Sequence, residues 1–454
     1  MKKILIILLT FGLVQSIFSQ QTVPQKLDAL IEAYTKWNKF NGSVLVAQHG
    51  KILLEKGYGF SNFRNNTLND SNTIYQIASI TKQFTSTMIL KLVELKKMAL
   101  TDKLSKYYPD FSNGDSITIE NLLTHTSGII SDAPDDSSFI NSEEQKMTHE
   151  EKFLASIKNR KLDFSPGTNW EYSNSGYILL GYIIEKVLKM TYFEAVRKYI
   201  FAPLNMTHSG FDFEHLRDTE KATGYSTISD SSKIEGSSID FDSTGPFAAG
   251  AIYSTVGDLY KWHEGLQSYK IISKASLDKA YTSFKNNYGY GWILDSFLNK
   301  RIVSHSGVIT GFNSNIARIP EDDVCIVLLN NMEGSGIGAI TKKIFSILYN
   351  QPYSVPVKRQ EIKLSEETLK KYVGTYEITS PPISAEVTIE NGKLIIQAPG
   401  GQKLEFLPYQ ENHFFIIVQD DEAEIEFGTD ESGKVDKIII YQEGQKMLGK
   451  KLNK

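Results

Sequence analysis

Three short stretches carry residue types able to act on a carbonyl group. Ser79-Ile80-Thr81-Lys82 opens a segment with helical spacing. A serine three residues before a lysine on a helix puts both side chains on one face. A hydroxyl is a weak nucleophile at neutral pH and needs a base beside it. A lysine can take the proton once burial lowers its pKa. A helix N-terminus also offers N–H groups to a developing oxyanion. The bland alternative is an N-capping serine with a solvated lysine. Tyr172-Ser173-Asn174 follows the turn Ser165-Pro166-Gly167 and precedes an apolar helix. A tyrosine hydroxyl near a lysine can share a proton, and Asn174 can donate to a substrate carbonyl. The alternative is a helix-leading loop with the asparagine as cap. His305-Ser306-Gly307 lies on a strand-like segment ahead of Val308. A histidine there can hydrogen-bond reacting groups, or a substrate carboxylate when protonated. Gly307 lets a ligand come close to the backbone. The alternative is an exposed histidine in a turn.

In that order, Ser79-x-x-Lys82, Tyr172-x-Asn174 and His305-x-Gly307 resemble the serine hydrolases of the β-lactamase and penicillin-binding-protein superfamily. The likeness is to the class C-like branch, which includes esterases, D-amino-acid peptidases and D-alanyl-D-alanine carboxypeptidases. Further stretches fit the family: Leu122-Leu123-Thr124-His125-Thr126-Ser127-Gly128, Ala248-Ala249-Gly250-Ala251-Ile252-Tyr253-Ser254-Thr255, Tyr288-Gly289-Tyr290-Gly291-Trp292 and Pro320-Glu321-Asp322-Asp323. The resemblance implies that Ser79 attacks the carbonyl and becomes acylated. Lys82 and Tyr172 share the general-base and general-acid work, with the first base left open. Asn174 orients the substrate, His305 and Gly307 bind it, and the N–H groups of Ser79 and Val308 form the oxyanion hole. No metal or organic cofactor is implied. His125 and His49 have no part in this scheme and are read as structural. One departure matters, because the family's β-lactamases usually carry a Lys-Thr-Gly motif where this chain has His305. A neutral imidazole holds a carboxylate less strongly than an ammonium. Weak or absent β-lactamase activity is therefore expected, with activity falling as His305 deprotonates through about pH 6–8.

The elements that must position these residues follow from periodicity. Two β-prone runs in 41–60 flank His49-Gly50-Lys51, a hairpin signal. Residues 79–98 switch to helical spacing, with Phe84, Met88, Leu92 and Leu95 on one face and Lys91, Glu94 and Lys96 outward. Helical patterns recur over 176–188 and 192–200, the second stopped by Pro203. Strand character returns over 288–331, with turns at Gly307, Gly311 and Pro320, and a helix near 338–349 follows. Strands, then helices, then strands give an α+β fold: an antiparallel sheet with flanking helices plus a largely helical subdomain. Residues 351–363 read as a linker. Beyond them short alternating runs at 386–389, 393–396, 413–418, 423–427 and 435–441 predict a small antiparallel barrel or sandwich over 364–454. Tyr372-Val373-Gly374-Thr375-Tyr376 resembles the opening of lipocalin-like barrels appended to this hydrolase branch.

Lys2-Lys3 precede an apolar stretch over 4–14 and then small and polar residues up to Ser19-Gln20. That is the pattern of a signal peptide over 1–19, too short for a comfortable membrane span. The hydrolase region is then 20–350. An exported, periplasmic or extracellular protein without an integral span in its mature form is expected. A net charge of −4 is not the footprint of a nucleic-acid binder. The single cysteine, Cys325, sits in an apolar run and reads as a buried strand residue. The expected partner is a small-molecule or peptide substrate, and the oligomeric state is open. Residues 129–165 and 209–247 are the expected specificity loops. The rival reading is a sensor on the same fold that binds penicillin or peptidoglycan fragments and turns over slowly or not at all. A cofactor-binding protein fits poorly, since Gly334-Ser335-Gly336-Ile337-Gly338 lacks the spacing of a dinucleotide fingerprint.

Overall fold

The computed structural model describes residues 21–131, 147–225, 227–230, 233–235, 246–333, 336–356, 359–379, 382–418, 421–442 and 445–452. The expected signal peptide and parts of both expected specificity loops lie outside these residues. Helix α1 (Val23–Lys36) opens the described chain, capped by Thr22. Strands β1 (Gly42–Gln48) and β2 (Lys51–Tyr58) form the expected hairpin. His49 and Gly50 both adopt positive φ at its turn, which matches the twist of the flanking strands. Helix α2 (Thr81–Glu94) and helix α3 (Asn174–Leu188) follow, then α4 (Val256–Gln267). Four more strands return to the first sheet: β3 (Ile293–Phe297), β4 (Lys300–Ile309), β5 (Phe312–Ile319) and β6 (Val324–Asn330). Helix α5 (Ile337–Leu348) closes this part.

The six strands form one antiparallel sheet in the order β2-β1-β6-β5-β4-β3. The last strand, β6, therefore lies in the centre, beside β1. Both faces of the sheet are covered. Val44, Val46, Val324, Ile326 and Leu328 face a core that includes Leu27, Ile31, Ile340 and Ile344 of α1 and α5. Leu45, Ala47, Cys325, Val327 and Leu329 face the other core, built on α2, α3 and α4. Two buried faces explain why β6 reads as an unbroken apolar run. Cys325 is buried there, and burial pushes its thiol pKa up to about 12.

Several local expectations change. Phe84, Met88 and Leu92 are buried, but Leu95 is exposed at the C-cap. Gly307 is not a turn; it lies within β4, paired with Ser314. Pro203 does not stop its helix. Tyr192–Val196 continues through a π-turn at Arg197–Phe201 into Ala202–Leu204, and Asn205, at φ +56°, ends it.

The C-terminal part is a closed barrel of eight strands in sequence order. They are β7 (Gly374–Thr379), β8 (Pro382–Glu390), β9 (Lys393–Gln397), β10 (Leu404–Gln410), β11 (His413–Val418), β12 (Asp421–Thr429), β13 (Val435–Gln442) and β14 (Gln445–Lys451). Its interior includes Tyr372, Tyr376, Phe406, Phe414 and Phe427. Three strands exceed the sequence expectation. In β10 the pattern is broken by Pro408, where the register shifts against β11, and proline argues against a strand in sequence.

Candidate active site

Ser79 sits in a single 3₁₀ turn, Ala78–Ile80, that leads into α2. Ala78 holds φ +46°, a left-handed conformation costly for a residue with a Cβ. The turn is fixed from both sides. Ile77 N–H donates to the Ile252 carbonyl at 2.9 Å, and Ile252 N–H donates to Thr81 Oγ1 at 3.1 Å. From the sheet, the Ser314 hydroxyl of β5 donates to the Ile77 carbonyl at 2.9 Å. Gly307 of β4 packs against the same turn. A Cβ there would stand 2.1 Å from Ile77 O and 3.0 Å from the Ser79 amide nitrogen. A glycine is what lets β4 lie against the Ser79 amide.

Lys82 lies one helical step further and is fully buried. Its Nζ is 3.1 Å from Ser79 Oγ, 2.8 Å from Asn174 Oδ1 and 2.8 Å from the Ala249 carbonyl oxygen. It also lies 4.9 Å from the Tyr172 ring centroid and 5.6 Å from that of Tyr177. Burial holds its pKa well below the usual lysine value. The three partners are not equivalent. Asn174 Oδ1 and the Ala249 carbonyl can only accept, whereas a serine hydroxyl can donate. In its neutral form the lysine would have two N–H bonds for those acceptors and one lone pair left for Ser79.

Tyr172 and Asn174 come from the start of α3. The cap is Ser173, whose hydroxyl accepts from Gly176 N–H, and not Asn174. That leaves the asparagine side chain free for Lys82. Tyr172 is half-buried as a residue, but its hydroxyl is enclosed and completes no hydrogen bond. Burial raises its pKa, and the nearby Ser79 side chain pulls the other way.

His305 projects from β4 into the protein, 2% exposed. Its Nδ1–H donates to the Ser306 carbonyl at 2.6 Å, and its Nε2 is 3.0 Å from the Tyr288 hydroxyl, which donates to it. Burial and the Lys82 charge push its pKa down to about 3. The ring is therefore neutral throughout pH 6–8, and the expected loss of activity as His305 deprotonates in that range has no basis in this site. Val308, two residues past the next exposed position, is 68% exposed beside the Ser79 turn.

The structure thus brings Ser79, Lys82, Tyr172 and Asn174 together, with Gly307 against the Ser79 amide. Sequence reasoning missed the Ala249 carbonyl, Tyr177 and Tyr288. Ala249 and Tyr288 lie in stretches whose family likeness was visible, but a carbonyl contact leaves no trace in residue type. His125, read as structural, has its ring centroid 4.3 Å from that of Tyr172.

Comparison with known proteins adds the following. Residues 27–343 match the Beta-lactamase family, and residues 358–451 match a domain of unknown function, DUF3471. The chain is 30% identical over 450 residues to Penicillin-binding protein 4* of Bacillus subtilis (strain 168), covering 94% of this chain and 98% of that one. Among solved structures, the octameric penicillin-binding protein homologue from Pyrococcus abyssi matches with a TM-score of 0.64 and 28% identity, over 94% of this chain and 99% of that one. The D-amino acid amidase of Ochrobactrum anthropi SV3 shares the fold at a TM-score of 0.62 and 22% identity, over 72% of this chain and 99% of that one.

Proposed function

The chain belongs to the β-lactamase and penicillin-binding-protein superfamily, and from that membership we propose that it is an exported serine hydrolase acylated on Ser79. The observation that carries this reading is Lys82 Nζ, buried, 3.1 Å from Ser79 Oγ and with its other contacts all acceptors. In acylation the Ser79 Oγ–H proton passes to the Lys82 lone pair as Oγ bonds the carbonyl carbon. The N–H groups of Ser79 and Val308 hold the oxyanion, where charge appears only on the way to the tetrahedral intermediate. Tyr172, kept protonated by burial, hands a proton to the leaving amine or alcohol as its bond to carbon breaks. Water then attacks the acyl-Ser79 ester and gives its proton to the Tyr172 phenolate, the Lys82 ammonium returns its proton to Ser79 Oγ as the acyl–oxygen bond breaks, and the acid is released.

The substrate in this reading is a small-molecule or peptide ester or amide with no free carboxylate for residue 305 to hold. His305 supports that choice, because its ring is neutral and both nitrogens are engaged within the protein. The division into a signal peptide (1–19), a hydrolase part (20–350), a linker (351–363) and a barrel part (364–454) is proposed with it, as is export. Among the described residues no helix is long and apolar enough to cross a membrane.

The test is a fluorophosphonate reaction followed by intact mass and peptide mapping, then steady-state kinetics on paired substrates. Label is expected on Ser79 and absent in Ser79→Ala. A D-alanyl peptide amide is expected to be cleaved at least as fast as the matching free acid. A folded protein that takes no label, or one that turns over penicillin as its best substrate, would overturn the reading. Label that forms with a penicillin and persists for hours would favour the sensor instead.

A further inference from the structure

His125 belongs to the Leu122–Gly128 stretch yet sits in the middle of the site, 1% exposed. Its backbone holds φ +57°, a region that residues with a side chain seldom adopt. Its ring packs among those of Tyr172, Tyr288 and Tyr177, at centroid distances of 4.3, 4.6 and 5.1 Å. Its Nδ1 accepts the Ser173 N–H at 3.1 Å, and its carbonyl oxygen accepts the Glu171 N–H at 3.0 Å. These two bonds grip the backbone on either side of Tyr172. With Nδ1 an acceptor, a neutral ring carries its proton on Nε2. That Nε2 is buried and completes no hydrogen bond. A left-handed backbone and an unpaired buried N–H both cost stability. Stability alone is therefore a poor account of a histidine at this position.

We propose that His125 is a positioning residue for acylation, which fixes Tyr172 and Asn174 relative to Ser79 and Lys82 by holding the amides of Glu171 and Ser173. The proposal rests on the Ser79 reading above. The reach of the clamp is direct, since Asn174 Oδ1 is itself a partner of Lys82 Nζ at 2.8 Å. The same loop holds the approach to Tyr172 further out. Thr126 O accepts from Gly167 N–H at 2.8 Å, and Gly128 O accepts from Asp163 N–H at 2.9 Å. A slip of an ångström in such a segment is enough to cost about 100-fold in rate.

Two substitutions in the full chain separate positioning from bulk support. His125→Asn places Oδ1 where Nδ1 stands, and asparagine tolerates the left-handed backbone. His125→Phe keeps a ring but loses the acceptor, and His125→Ala replaces it if the phenylalanine variant does not fold. The rate of fluorophosphonate labelling at Ser79, per folded molecule, is expected to fall at least about 30-fold in His125→Phe or His125→Ala. It should stay within about 5-fold of wild type in His125→Asn. In ¹⁵N spectra of the wild type, His125 should be the neutral Nε2–H tautomer. Equal labelling rates in all variants, an asparagine variant no better than the phenylalanine one, or an Nδ1–H tautomer would overturn the proposal. A wild type that takes no label at Ser79 while His125 shows the Nε2–H tautomer would overturn the hydrolase reading instead, and the positioning role with it.

Discussion

Lys82 and His305 are both buried and have the same electrostatic problem with different consequences. Each is pushed toward neutrality by burial. In the proposed mechanism, neutrality is what makes Lys82 the base for Ser79. Lys82→Arg is therefore expected to lose about 10²–10⁴-fold in labelling rate, since a guanidinium keeps its proton, and stopped labelling reactions over pH 6–9 would show it. For His305, neutrality shows up in stability. Its pKa of about 3 in the folded protein lies below the ordinary value of 6.5. Between those values the unfolded chain binds the extra proton, so its contribution is fully present above about pH 6.5 and is lost as pH falls toward 3. His263, pushed down to about 2 by burial and Arg318, acts in the same window with the same sign. Urea unfolding at pH 7.5 and 5.5 should show stability dropping at the lower pH. In His305→Gln that drop should shrink by about 1.4 kcal/mol; an unchanged drop would mean the imidazole is accessible to protons in the folded state.

At the scale of elements, the close approach of β4 to the Ser79 turn is the joint on which the site depends. Gly307→Ala would put a methyl group 2.1 Å from Ile77 O. Overpacking of this kind costs about 1–3 kcal/mol, and the shifted turn should lower the Ser79 labelling rate by about 100-fold. A labelling rate near wild type, measured on the alanine variant, would show that β4 can move aside freely. Much of this arrangement was legible in sequence. The hairpin at His49-Gly50, the helix after Ser79, the apolar β6 and the barrel's alternating runs all carry local signals. What escaped was set by contacts distant in sequence. Gly307 reads as a turn residue until Ile77 is known to lie against it. Asn174 reads as a helix cap until Ser173 is seen to do that work, and the value of His125 lies in the two amides it holds 46 and 48 residues away.

For the whole molecule, the described hydrophobic cores divide by part. The barrel residues form one cluster, and the two clusters on the sheet contain none of them. Phe427, 2% exposed, packs on Tyr372, Tyr376, Phe406 and Phe414. Phe427→Ala should cost about 3–5 kcal/mol and lower one calorimetric transition while leaving the second, and the Ser79 labelling rate, in place. A single transition moving as a whole would show that the two parts unfold together. The strand order has a consequence of a different kind, in the time course of synthesis. Strand β1 must wait for β6, and Asn41 N–H finds its partner, Asn330 Oδ1, 289 residues later. At about 5–20 residues per second that wait is about 15–60 s. Throughout it the N-terminal hairpin has been made but its sheet cannot close. Contacts this far apart also fold slowly once the chain is complete. If the chain is exported as proposed, a secretion channel that accepts only unfolded chains would thus meet it while it is still threadable.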